Sequence, residues 1–277
     1  MNTTLNAYLE RLRNAGPDAS IRQAPGGKVV GRFFQATLTS VFQAVREIES
    51  GRAVAFEGYV RNDAEGDRGL SPWKVLDAAA GDSDSIALDR LCRVLHAVNF
   101  FRQPGAAGRD LYLSVDTRLL SGVGSNHGIA FLQVLRRLAL PQGQVVLQLP
   151  SVPAEQNWLL NYVSDNYRRN GFRLAVRALD LPHAGYLLDH VRPDVIKLDA
   201  RHAAGRDEAL TLLQNAAERG VKLVFNKVDA AALAAPLREL ADLAGQAVFA
   251  QGFLWDTPGA ALAPAEAVEY AVALENA

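Results

Sequence analysis

Short apolar runs recur along the chain: AVAFEGYV from Ala53, DLYLSVD from Asp110, VVLQLP from Val145, RLAVRAL from Arg173, VIKLD from Val195, KLVFNKV from Lys222 and AVFA from Ala247. Between most of them the apolar positions return with helical period, as in Gly128 to Leu138, Ala154 to Arg169, Asp207 to Arg219 and Ala230 to Ala241. Strands that alternate with helices predict a parallel sheet. Pro153 fits a helix start, while Gly171 after RRN and Gly220 after AER fit helix ends. With one more strand near Val41 to Arg46 there are about eight, which predicts an α/β fold of the TIM-type (β/α)8 class, with a doubly wound open sheet as the alternative. Residues 1–40 read as an N-terminal extension, with a short amphipathic helix at Leu5 to Leu12 and a turn-rich stretch, and residues 41–277 as the barrel domain.

Composition narrows the partners. Lys plus Arg number 29 and Asp plus Glu 30, so no global basic field draws the protein to nucleic acid, and an anionic ligand must be held locally. Cys92 is alone, within LDRLCRVLHAV, which excludes a disulfide within the chain and reads as packing. No run of about 18 apolar residues suggests a membrane span, and the first residues lack the apolar centre of a signal peptide, so a cytoplasmic location is expected. His96, His127, His183, His190 and His202 show no zinc-site spacing, and no GxSxG elbow supports a hydrolase triad. Trp158, Leu159, Tyr162 and Val163 form a helical stripe, read as core or subunit contact.

The segment FQAVREIESGRAVAFEGYVR, residues 42–61, resembles the opening of an EAL domain: Phe42, Gln43, Val45, Gly51, Glu57, Val60 and Arg61 fall in step with it without a gap. LSPWKVLDAA at Leu70, LDRLCRVL at Leu88, IKLD at Ile196 and AQGFLWDTP at Ala250 resemble later phrases of the family, in the same order. The resemblance implies a modified TIM barrel with its site at the carboxyl ends of the strands. It also implies that active members hydrolyse cyclic di-GMP with two divalent metals, for which several hard anionic oxygens must converge.

Glu57 matches the glutamate of the family triplet, although Ala-Leu has become Gly58-Tyr59. Where the family has an asparagine this chain has Ser114, and Gln148 and Ser151 stand at two glutamates. At the paired aspartates, counting from Gly171 gives Arg177 and Ala178, whereas counting back from Lys197 gives Val176 and Arg177. Asn226 stands at a further glutamate, Lys227 at the adjacent glycine, and Asp229 matches the final acid. On this correspondence Glu57 and Lys197 are remnants of the catalytic set. No catalytic residue and no metal site is expected, Mg²⁺ or Mn²⁺ being the ions an active member would use. Arg177 or Lys197 is expected to pair with Glu57 and fill the site internally.

The resemblance places Gln43, Arg61, Gln251, Gly252 and Pro258 along a nucleotide site, and Arg177 adds a cation there; Arg61 is the foremost phosphate partner. Tyr59, Leu181-Pro182 and Lys227 add bulk that could close the pocket. The leading expectation is an inactive regulator or cyclic di-GMP receptor that acts through an unidentified protein partner, with a homodimer as a further option by family analogy. The alternatives are a phosphodiesterase with displaced ligands such as Asp116, Asp180 and Asp229, and a scaffold that binds no nucleotide.

Overall fold

The computed structural model describes residues 3–14, 20–63, 81–116, 127–152 and 156–264. Strands β1 (Ile21–Gln23), β2 (Val29–Phe33), β3 (Ala36–Glu47), β4 (Ala53–Asn62), β5 (Asp110–Ser114), β6 (Val145–Leu149), β7 (Arg173–Arg177), β8 (Val195–Asp199), β9 (Lys222–Asn226) and β10 (Phe249–Ala250) join one sheet. The order β3-β10-β9-β8-β7-β6-β5-β4, with β3 also paired to β4, closes eight strands into a barrel. β4 to β10 run parallel, and β3 is antiparallel to both of its neighbours, which makes this a modified TIM barrel and excludes the open sheet.

Helices α1 (Thr3–Arg13), α2 (Asp82–Phe101), α3 (His127–Arg137), α4 (Asn157–Arg169), α5 (Leu181–Tyr186), α6 (Arg206–Glu218) and α7 (Ala231–Ala244) accompany the strands. Within a residue or a few, the observed bounds match the elements read from the sequence. The expected helix start at Pro153 and the phrase at Leu70 lie outside the described residues. β1 and β2 extend the sheet as an antiparallel ribbon beyond β3, in the stretch that reads as turn-rich, and residue 40 lies inside β3. No helix among the described residues is long and apolar enough to cross a membrane.

The alternation of strand side chains builds the interior in layers. Val45, Ala55, Tyr112, Val146, Ala175, Val195 and Val224 form a buried apolar cluster with Phe249 packed against it, one residue from each barrel strand. Outward-facing residues of the same strands, such as Phe56, Leu111, Leu147, Val176, Ile196 and Phe225, join the larger core beneath the helices. Two residues beyond the apolar layer, on the side of the carboxyl ends, every strand supplies a polar side chain. These are Gln43, Glu57, Ser114, Gln148, Arg177, Lys197, Asn226 and Gln251. The site is this second layer.

Candidate functional site

The polar layer is organised around one ion pair. Lys197 Nζ lies 2.7 Å from Glu57 Oε2, with side-chain exposures of 0% and 2%. Lys197 also donates to Gln251 Oε1 at 3.0 Å, and its ammonium sits 4.8 Å from the centroid of the Tyr112 ring in the layer below. On the other side of the carboxylate, Gln148 Nε2 donates to Glu57 Oε1 at 3.2 Å and approaches Ser114 Oγ at 3.4 Å. Arg177 Nη2 stands 3.7 Å from the same Oε1 while its side chain remains 48% exposed. Both candidate partners of Glu57 are therefore present, Lys197 in direct contact and Arg177 at the rim.

A second set of bonds continues from Gln251. Its Nε2 donates to Gln43 Oε1 at 3.2 Å and to Tyr59 Oη at 3.3 Å, and Gln43 Nε2 donates to the Asp256 carbonyl at 2.8 Å. The Asp256 carboxylate in turn holds the buried Arg46 guanidinium through two bonds, of 2.6 Å and 2.7 Å, a bidentate pair. Two backbone bonds between Phe42 and Gly259 tie the same loop to β3, and Pro258 precedes that bridge. Gln43, Gln251 and Pro258 thus belong to one structure that joins the barrel interior to the segment after β10.

Burial by itself raises the Glu57 carboxyl, but the charge and hydrogen bond of Lys197, then Arg177 and Tyr59, outweigh it and leave the group below the usual carboxylate range. Burial lowers the Lys197 ammonium against the opposing pull of Glu57. Burial, followed by the nearby Glu57 carboxylate, raises the Tyr59 phenol, so Tyr59 stays a neutral donor.

The strand register shows which residues of β7 face the barrel interior. Arg177 pairs with Lys197 across the β7–β8 ladder, and Val176 is buried in the outer core, so Arg177 is the inward residue. Arg61 lies at the carboxyl end of β4, exposed, and among the described residues makes no ion pair. Lys227 adopts a φ of 60°, the left-handed region that suits glycine, and its ammonium bonds Asp199 at 3.0 Å.

Gly252 has a backbone role: a Cβ built there would lie 2.0 Å from the Val228 carbonyl oxygen. Gly58 faces out of the barrel, where a Cβ would meet His96 Cγ at 3.0 Å, and His96 Nδ1 is bonded to Ser40 Oγ at 2.8 Å. The sequence gives no sign of this contact, because His96 lies on α2.

Asp180 caps α5 by accepting from the His183 N–H at 2.8 Å, and Asp229 accepts from the Phe253 N–H at 2.9 Å. Asp116 hydrogen-bonds through its backbone N–H to Asp89 at 3.2 Å. Among the described residues no group of three or more His, Cys, Asp or Glu side chains is placed to hold a metal ion. Burial, then the Asp89 carboxylate, pushes the Cys92 thiol up to about 12, as suits a packed and unreactive cysteine.

A family model described as the EAL domain matches residues 31–258. Three solved structures share the fold. They are the EAL enzyme Bd1971 in its cAMP- and cyclic-di-GMP-bound form (12% identity, TM-score 0.64, 80% of this chain and 62% of that one), Klebsiella pneumoniae BlrP1 in a manganese and cyclic di-GMP complex (19%, 0.64, 86% and 58%), and the Pseudomonas aeruginosa FimX EAL domain bound to cyclic di-GMP (16%, 0.63, 81% and 91%). This chain spans about three fifths of the first two and most of the third. A search of curated proteins found no match. With more than half of its length matched by the family model, the chain belongs to the EAL domain family.

Proposed function

We propose that this chain is a catalytically silent EAL domain that acts as a regulator through protein contacts, with cyclic di-GMP as the ligand class suited to the mouth of its barrel. The observation that carries this reading is the Lys197–Glu57–Gln148 arrangement. Glu57 is the one carboxylate in the polar layer, and both of its oxygens are engaged, Oε2 by an ammonium and Oε1 by an amide and a guanidinium. A divalent ion there would have to displace two cations and would find amides and a hydroxyl where hard anionic ligands are needed. These residues do not fit a two-metal centre. Of the acids that could replace the missing ligands, Asp180 accepts from a backbone N–H of its own turn and Asp229 from the Phe253 N–H in the segment after β10.

Nucleotide binding is supported by Arg61 and Arg177, exposed cations at the carboxyl ends of β4 and β7 that can offer paired donors to phosphate oxygens. The β1–β2 ribbon extends the barrel sheet, and β3 runs through residue 40, the boundary read from the sequence.

The test has two arms. Incubation with cyclic di-GMP and Mg²⁺ or Mn²⁺ should yield no metal-dependent product; product that disappears in Glu57→Ala would overturn the reading. Calorimetry should give binding that survives chelation of metal and weakens by about tenfold in Arg61→Ala, the loss expected for a charge-assisted contact. No heat with the wild-type chain would leave the protein-binding scaffold as the function.

A further inference from the structure

At the amino-terminal end of the barrel a cleft of about 260 Å³ opens between α6 and the starts of β9 and β10. Lys222 and Phe249 begin the two strands whose other ends carry Asn226 and Gln251, so the polar layer lies further along the same strands and the cleft is separate from it. Leu213 and Ala216 of α6, Val221 and Leu223 around the start of β9, and the Phe249 ring give it apolar walls. Its volume is just below that of drug-sized sites, which suits a molecule of about ten non-hydrogen atoms.

Two nitrogen donors line these apolar walls, and neither is matched by an acceptor. Lys222 is exposed and forms no ion pair among the described residues; its ammonium stands 5.6 Å from the centroid of the Phe249 ring. Gln246 lies between α7 and β10, and its Nε2 is shut off from solvent with no hydrogen-bond partner. A buried donor left without an acceptor is costly and uncommon, and a ligand oxygen would satisfy it. No acidic residue lines the cleft. A cation, an amide donor and hydrocarbon walls together select a ligand with one anionic acceptor group and an apolar body. A single ammonium matches a carboxylate better than a phosphate monoester, which carries close to two negative charges, and the walls offer nothing to the hydroxyls of a sugar.

We propose that this cleft is a binding site for a small amphipathic monocarboxylate, whose carboxylate accepts from Lys222 and Gln246 while its hydrocarbon body packs on Leu213, Leu223 and Phe249. The contact with Lys222 is charge-assisted, and the stem of that side chain adds to the apolar surface. With about ten ligand atoms and a cation that remains open to water, the complex is weak, with a dissociation constant of about 0.1–1 mM.

Octanoate meets these requirements and serves as the probe in a ligand-observed NMR titration of the full chain. Saturable binding in the range of about 0.1–1 mM is expected. Lys222→Met keeps an apolar stem without the charge and should raise the dissociation constant about tenfold. Octanol, of the same length but uncharged, should bind the wild type about tenfold more weakly than octanoate does. Ala217 is exposed at the edge of the cleft, and Ala217→Trp should weaken octanoate binding by about tenfold or more by filling the space with an indole. Both substituted side chains are exposed, so far-ultraviolet circular dichroism should show that each variant is folded. Absence of saturable octanoate binding to the wild type overturns the proposal. Octanol binding as tight as octanoate would also overturn it, as would octanoate binding that either folded variant leaves unchanged.

Discussion

Lys197 and Glu57, 140 residues apart in the chain, meet inside the barrel at 2.7 Å with almost no exposure to solvent. A buried pair of this kind is a weak source of net stability, because desolvation offsets much of the attraction, yet breaking it is severe. The Gln148, Gln251 and Tyr112 contacts complete the solvation of the two charges within the protein.

Lys197→Met is expected to lower the unfolding free energy by about 3–5 kcal/mol, since it leaves the Glu57 charge buried without its nearest counter-charge. The combination with Glu57→Gln should be less destabilising than the sum of the two single changes. Urea denaturation of the four proteins measures the coupling, and additive effects would show that the pair does not act as a unit.

His96 carries a pH dependence. Burial pushes its imidazole down from 6.5 to about 4. As pH falls below 6.5 the unfolded chain takes up a proton that the folded protein refuses until about pH 4. The stability contribution is therefore complete above pH 6.5 and is lost across that window, roughly 3 kcal/mol in all for a shift of this size. Denaturant midpoints measured from pH 7 to 4 should fall more steeply for the wild type than for His96→Gln; parallel slopes would refute the assignment.

Gly252→Ala should destabilise the fold by about 3 kcal/mol or more, because the added methyl collides with backbone and has no rotamer to escape into. Gly143→Ala, with nothing within 4 Å of the new methyl, should stay within about 0.5 kcal/mol of wild type. Thermal melting of both variants separates a backbone requirement at Gly252 from a ligand contact: a soluble Gly252→Ala with unchanged melting would place its role in binding.

Much of the architecture is legible in the sequence because it rests on periodicity. The buried parallel strands are nearly continuous apolar runs, and the helices between them repeat with period 3.6. The polar layer is legible too, since the position two residues past each inner apolar residue can be counted along the strand. The chain itself thus specifies that Ser114, Gln148, Arg177 and Asn226 occupy strand ends where the resemblance implies acids or an amide.

Three features depended on the tertiary structure. A one-residue slip in β7 turns every side chain to the opposite face, and only the ladder with β8 fixed that Arg177 faces the barrel interior and Val176 the outer core. The β1–β2 ribbon escaped notice because its strands are short, glycine-interrupted and without clear alternation. Gly58 reads as erosion of the family triplet, yet it faces His96 from another element, and the need for a missing Cβ there arises from that contact. Local pattern determined the barrel and the chemistry available at its mouth. Which charges neutralise one another, and which glycines are steric necessities, are relations between residues distant in sequence that exist only once the barrel has closed.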